Sequence, residues 1–317
     1  MTETKLFNWK KSFNLTVIFL IIPLLLISAC RPRDGKSDGP YNGGIAGVSV
    51  SFEANAPPSR FDLGESVPVR VLLNNKGEFD LKPGEVEVQL FGVHRPSFGL
   101  NEAYIANKGD LPGISDFLES GGEQTSSLGS ITYGQAIANS EKFTLKAKVC
   151  YPYETNSQIK ACISSIDIEE SRGDNVCSIS GEKITKGSVS SSPVQITSFT
   201  EEFRGADKII FNVVVENKGP GSVYAPLSTC VELDDPDLRL ENENIILFTV
   251  TPSDIICRFS SQNSNSGEIK LKDMIANIVC QKDVVETDSG YEQNIIINLK
   301  YRYIDSSSTS FEIFERV

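Results

Sequence analysis

Two stretches of this 317-residue chain read almost alike: "VRVLLNNKG" at 69–77 and "FNVVVENKG" at 211–219. In each, apolar side chains alternate with others and then run into Asn-Lys-Gly. A period of two places successive side chains on opposite faces of a β-strand, so Val67, Val69, Val71 and Leu73 share one face. Ile209, Phe211, Val213 and Val215 do the same in the second copy. Asn and Gly tolerate positive φ, so the tripeptide is expected to end each strand in a sharp turn.

The same period recurs along the chain. "EVEVQLFG" puts Val86, Val88 and Leu90 on one side, and "KFTLKAKVCY" does so with Phe143, Leu145, Ala147 and Val149. "NIIINLKYRY" aligns Ile295, Ile297, Leu299, Tyr301 and Tyr303. One buried and one wetted face is the mark of antiparallel sheets, because parallel sheets are usually covered on both sides. Helical spacing is confined to the N-terminal apolar run, with short helical turns expected near 114–119 and 272–277. The fold class is therefore all-β. The repeat predicts two tandem antiparallel β-sandwich domains of related plan.

Boundaries follow from composition. Residues 45–177 form the expected first sandwich and 194–317 the second. "SISGEKITKGSVSSSP" at 178–193 is small and polar and reads as the linker between them. Within the first, 98–140 is rich in Gly, Ser and Asn with weak patterning. That is long for a structureless loop, so it holds short strands or a functional surface.

A strand followed by Asn-Lys-Gly, in tandem behind an export signal, resembles the CARDB-like immunoglobulin-fold modules of archaeal and bacterial surface proteins. "CYPYETNSQIKAC" at 150–162 is similar to segments of envelope proteins of that kind. The resemblance implies a sandwich fold and a role in adhesion or envelope architecture, and it carries over no catalytic residues.

The N-terminus supports export. Lys5, Lys10 and Lys11 precede "FNLTVIFLIIPLLLISA", 17 uncharged residues from Phe13 to Ala29. A basic start, an apolar run and small residues make a secretory signal, and the length also suits a short membrane anchor. Residues 1–29 are thus a signal peptide or anchor. Ile27-Ser28-Ala29-Cys30 resembles the lipobox of prokaryotic lipoproteins, which implies cleavage before Cys30 and lipid on its sulfur. Durable anchoring takes two acyl chains, which a diacylglyceryl group supplies. Residues 30–44, rich in Gly, Pro and Asp, then read as a flexible tether. An extracytoplasmic, membrane-anchored body is the expected localisation.

Cysteine arithmetic agrees. Seven cysteines less Cys30 leave Cys150, Cys162, Cys177, Cys230, Cys257 and Cys280, an even set suited to three disulfides outside the cytoplasm. Of the fifteen connectivities six cysteines allow, the favoured one joins Cys150 to Cys162, across what reads as a short turn, Cys257 to Cys280 in adjacent strands, and Cys177 to Cys230.

Charge and motifs narrow the function. The net charge is −12, which disfavours nucleic acid and anionic lipid surfaces as partners. Other envelope proteins, and the membrane through the N-terminal lipid or anchor, are the expected partners. The acidic run "ELDDPDLRLENE" offers Asp234, Asp235 and Asp237 as weak metal candidates, but without EF-hand spacing, so it reads as a solvated loop. Arg172-Gly173-Asp174 matches an adhesion tripeptide by composition alone. His94, the sole histidine, sits in "GVHRPSFG" with no GxSxG, HExxH or phosphate-loop motif in the chain. No catalytic residue, cofactor or metal is expected. The function expected is an envelope structural, adhesion or protein-binding module; the alternative is an extracytoplasmic enzyme or accessory subunit with 98–140 covering a site near His94.

Overall fold

The computed structural model describes residues 39–315 except 102, 165–176, 206, 261 and 285–289. The signal segment, Cys30 and the Arg172-Gly173-Asp174 tripeptide lie outside the described residues. The described chain is mostly strand, in sheets that are antiparallel except for one short parallel pair between its second and last strands. The first half supplies β1 (Val48–Phe52), β2 (Arg60–Asp62), β3 (Ser66–Asn75), β4 (Glu87–Phe91), β5 (Ile105–Ala106), β6 (Glu123–Thr132) and β7 (Ser140–Ile163). The second supplies β8 (Val194–Phe203), β9 (Lys208–Asn217), β10 (Ser222–Tyr224), β11 (Ile245–Thr251), β12 (Ile256–Arg258), β13 (Asn263–Ser264), β14 (Ser266–Lys270), β15 (Ile275–Asp283) and β16 (Tyr291–Phe314). Among the described residues one α-helix, α1 (Pro236–Asn242), precedes β11.

β7 and β16 organise everything else. Each is 24 residues long, and they pair antiparallel from end to end, Ser140 opposite Phe314 and Ile163 opposite Tyr291. At about 3.3 Å per residue each runs nearly 80 Å. They form the spine of an eight-stranded sheet that takes β4, β5 and β2 from the first half and β10, β11 and β14 from the second. A three-stranded sheet, β1-β3-β6, and a five-stranded sheet, β13-β12-β15-β9-β8, complete the two sandwiches. The alternating residues of the repeat face inward as expected: Val67, Val69, Val71, Leu73, Ile209, Phe211, Val213 and Val215 are all buried.

The expected boundary does not separate two free-standing domains. Residues Asp38–Val317 make one compact unit with one contiguous apolar core. The end of β16 completes the first sandwich, where Phe311 packs on Phe61, Phe98 and Phe143. The end of β7 enters the second, where the Cys162 N–H donates to the Glu201 carboxylate. The region between Cys150 and Cys162 reads as a short turn in sequence. It is instead where β7 passes from the first sandwich into the second. Thr155 Oγ1 donates to Val194 O at 2.7 Å and Ser157 Oγ to Ile297 O at 3.1 Å, so both hydroxyls are satisfied while buried.

The supposed linker is likewise part of the body. Ser188, Ser190, Ser191 and Ser192 are buried, and the Gln158 and Ser190 N–H groups bond across to Ser188 and Asn156 carbonyls at 2.8 Å each. Residues 39–44, expected to belong to the free tether, lie along this segment. Tyr41 N donates to Gly187 O at 3.0 Å, and the Glu78 carboxylate collects the N–H groups of Asn42, Gly43 and Ser191. The chain is therefore held from residue 39 onward.

The repeat is a pseudo-twofold. Pro152 lies opposite Arg302 at its centre, with Tyr151 opposite Tyr303 and Tyr153 opposite Tyr301. Tyr153 Oη donates to Asn75 Oδ1 at 2.9 Å, and Tyr303 Oη to Asn217 Oδ1 at 3.3 Å. Asn75 Nδ2 donates to Phe79 O, four residues on, and Asn217 Nδ2 to Gly221 O, also four on. Val48 sits opposite Asn75 and Val194 opposite Asn217, and their N–H groups donate to Tyr151 and Tyr301 hydroxyls. Duplicated hydrogen bonds at duplicated residues establish the internal repeat more firmly than a nine-residue match does.

Asn-Lys-Gly works differently from the turn expected of it. Neither Gly77 nor Gly219 has positive φ. Each is glycine because a Cβ there would fall 2.0 Å from the Tyr153 hydroxyl or 2.3 Å from that of Tyr303. The tyrosine needs the room in order to reach the asparagine.

Candidate interaction surface

Residues 225–243 lie over the outer face of the shared sheet and contain the acidic run. The disulfide Cys150–Cys230 pins this loop to β7. The other two bonds are Cys162–Cys177 and Cys257–Cys280. All six expected cysteines are thus paired, but only Cys257–Cys280 follows the favoured connectivity. Cys150 and Cys162 stand twelve residues apart on one continuous strand, about 40 Å, whereas a disulfide needs Cα atoms within about 7 Å. Each therefore pairs with a cysteine outside β7, Cys150 near the middle of the strand with Cys230 and Cys162 at its end with Cys177.

The three aspartates do separate work. Asp234 accepts from Lys148, from Tyr104 Oη at 2.9 Å and from Gln89 Nε2 at 3.2 Å, joining the loop to β4, β7 and the chain before β5. The Lys148 ammonium also sits 5.1 Å from the Tyr104 ring centre, a cation–π contact. Asp235 is the N-cap of α1 and accepts from the N–H groups of Asp237 and Leu238. Pro236 occupies the first helical position, where its missing N–H costs nothing. Asp-Pro followed by Asp in the first turn is a helix-start signal that the acidic composition masked. The helix lies here, whereas 114–119 holds a tight two-residue hairpin and 275–283 is strand. Among the described residues, no group of three or more His, Cys, Asp or Glu side chains is placed to hold a metal ion.

Burial by itself would raise the Asp234 carboxyl, but the bonds from Lys148 and Tyr104 outweigh it and hold the group below its usual range. A carboxyl depressed in the folded state stabilises above its unfolded pKa of about 3.9, and that contribution is lost as pH falls through the folded value. Amide protection across 229–243, relative to the intrinsic exchange rate, is therefore expected to fall below about pH 4. Asp234→Asn should raise exchange there at neutral pH and flatten the acid dependence. An unchanged acid profile in the variant would remove Asp234 as the clasp.

A cleft of about 630 Å³ opens beside this clasp, lined by Phe91, Arg95, Lys148, Arg239 and Ser306 among others. His94 is exposed one residue before Arg95, and its Nδ1 lies 2.8 Å from Ser97 Oγ, within the short 3-10 turn Arg95–Phe98. Arg302 Nη1 donates to Cys230 Sγ at 3.4 Å, and burial draws its pKa down. Above the sheet the loop exposes Leu227 (92%) and Leu240 (69%), and the first half exposes Phe117 (99%). These three were not singled out by sequence, because an apolar residue in a turn carries no sign of whether it is covered.

No family model matches the chain, and no curated protein does. Two solved structures align weakly. The secreted serine protease VesC from Vibrio cholerae is 10% identical with a TM-score of 0.18, over 83% of this chain and 51% of that one. Escherichia coli alpha-2-macroglobulin activated by porcine elastase is 8% identical with a TM-score of 0.14, over 86% and 33%. This chain spans about half the length of the first and a third of the second, and scores this low transfer neither fold nor function. Among the described residues no helix is long and apolar enough to cross a membrane.

Proposed function

We propose that this chain is a lipid-anchored extracytoplasmic protein that acts as a protein-binding module of the cell envelope. The observation that carries the reading is the closure of six cysteines into three disulfides. Such bonds persist in oxidising compartments, and the pairing leaves Cys30, in its lipobox-like setting, as the cysteine free for lipid. Tyr41, Asn42 and Gly43 of the polar segment after it are bonded to the body. The body presents a disulfide-braced loop with the large exposed apolar side chains Leu227 and Leu240, which suits contact with other envelope proteins. The resemblance to CARDB-like surface modules points the same way.

Mass spectrometry of the protein extracted from membranes tests this. The expected mature chain starts at Cys30, carries acyl mass on that residue, and loses three disulfides on reduction. A chain retaining Met1, with Cys30 unmodified and the other thiols free, overturns the reading.

A further inference from the structure

We propose that the outer edge of β6, with the adjoining turn at 115–118, receives an extended segment of a partner protein as an added β-strand, and that this segment carries Lys or Arg at its flanks. The inference rests on the reading of the chain as a protein-binding module and names the surface that binds.

β6 ends its sheet and pairs only with β3. Among the described residues, no backbone hydrogen bond reaches its other edge. The other terminal strands are shorter or shielded: β1, the opposite edge of the same sheet, has five residues to the ten of β6, and β2 and β10 have three each. β5 and β13 have two residues each, and β14 carries Glu268 and Lys270. β8 is bridged by 182–183, where Glu182 pairs with Thr200 and Lys183 N donates to Phe199 O at 2.9 Å. Proteins usually protect a free edge with charge, proline or a bulge. After Glu123, β6 reads "QTSSLGSIT", with neither charge nor proline. A bulge at Leu128–Gly129, opposite Val69, bends only its far end and leaves Glu123–Ser127 straight.

A second feature adjoins that straight stretch. Ser115 and Leu118 bond to each other in both directions at 3.1 Å, and Gly121 N donates to Leu118 O at 3.2 Å. This rigid turn holds Phe117 at its tip with 99% of its surface exposed. The turn leads through Gly121 and Gly122 directly into β6, so an exposed phenylalanine precedes the open strand edge closely in sequence and offers a strand partner an apolar contact in addition to backbone hydrogen bonds.

Charge selects the occupant. From 109 to 141 there is no Lys or Arg, while Asp110, Asp116, Glu119, Glu123 and Glu141 fall in that stretch. A second copy would bring the same acids and another −12 charges to the edge. Anionic lipid would also be repelled. A partner strand with basic flanks complements the field.

The test uses isotopically labelled protein and a twelve-residue peptide of alternating Val and Thr with two lysines at each end. Hydrogen exchange at alternate amides of Glu123–Ser127 is expected to slow about tenfold or more when peptide binds, with the Phe117 ring signals shifting. The same peptide N-methylated along one edge should have no effect. Ser127→Lys, which adds charge at an exposed edge position, and Phe117→Ala should each weaken binding about tenfold without changing exchange in β7 and β16. Unchanged exchange at the highest soluble peptide concentration overturns the proposal. So does equal binding of the N-methylated peptide. Protection that rises with protein concentration alone would assign the edge to a second copy, which also overturns it. These outcomes are independent of the mass at Cys30, so the anchor and the edge stand or fall separately.

Discussion

Adding one methyl group at Gly77 or at Gly219 is expected to destabilise the protein by about 3–5 kcal/mol, combining overpacking with the loss of a buried hydrogen bond. At Gly219 the new Cβ would lie 2.3 Å from the Tyr303 hydroxyl and 2.7 Å from Pro193 Cβ. At Gly77 it would lie 2.0 Å from the Tyr153 hydroxyl, and also 2.5 Å from Ala46 O. The tyrosine must then move, and its hydroxyl loses the asparagine carbonyl. Asn75 would keep its Nδ2 bonds to Phe79 and Leu111 but leave Oδ1 with only the long contact to Gly77 N. Chemical denaturation of Gly77→Ala and Gly219→Ala measures the cost. A double variant distinguishes its cause. Tyr303→Phe should recover part of the Gly219→Ala loss, because the phenol oxygen is the nearest clashing atom. It should recover less in the Tyr153→Phe, Gly77→Ala pair, because backbone carbonyls also crowd that site. Stabilities within about 0.5 kcal/mol of the parent, the range of ordinary surface changes, would show that the tyrosine–glycine contact is not what fixes the repeat.

The three disulfides should differ in a set order. By loop-closure entropy, replacing both cysteines of Cys150–Cys230, separated by 80 residues, should cost about 4.5 kcal/mol. Cys257–Cys280, separated by 23, should cost about 3.4 kcal/mol, and Cys162–Cys177, separated by 15, about 3 kcal/mol. The first carries an additional local effect, because it clamps 225–243 over the shared sheet and supplies the sulfur that Arg302 donates to. Its loss should therefore speed amide exchange in that loop, while Asp234 still tethers it to Lys148. Paired alanine substitutions, followed by urea unfolding, give the ranking. If the Cys162–Cys177 variant proves the least stable, chain entropy is not the controlling term and the clasp at Cys230 is marginal.

Strand identity was legible wherever one face is buried. The positions read as inward in "SVPVRVLL", "KIIFNVVVENKG" and "NIIINLKYRY" are buried in the fold, because a sheet packed on one side forces a period of two. The internal repeat was legible from nine residues for the same reason. What misled was polarity without context. The region between Cys150 and Cys162 resembles a turn, yet its Thr155 and Ser157 lie within β7 where the strand passes from one sandwich into the other, with their hydroxyls bonded to backbone carbonyls. The serines of 188–192 resemble a linker, yet they are buried. Asp234, Asp235 and Asp237 resemble a solvated acidic loop, yet one ties three elements together and one caps a helix. Small polar residues have the same composition whether water or the chain satisfies them. Only the position of the partner decides which.

The order of apolar and polar residues was enough by itself to determine an all-β chain, its duplication, and six cysteines that pair with one another. These are local or counting properties, set by side-chain period and by parity. Tertiary structure alone decided that the two sandwiches share two 24-residue strands, that Cys150 reaches Cys230 across 80 residues, and that β6 is left with an open edge. Each of those depends on which distant segment lies alongside a strand. Strand pairing is made by backbone groups common to every residue, so the sequence marks a strand clearly and its neighbour hardly at all.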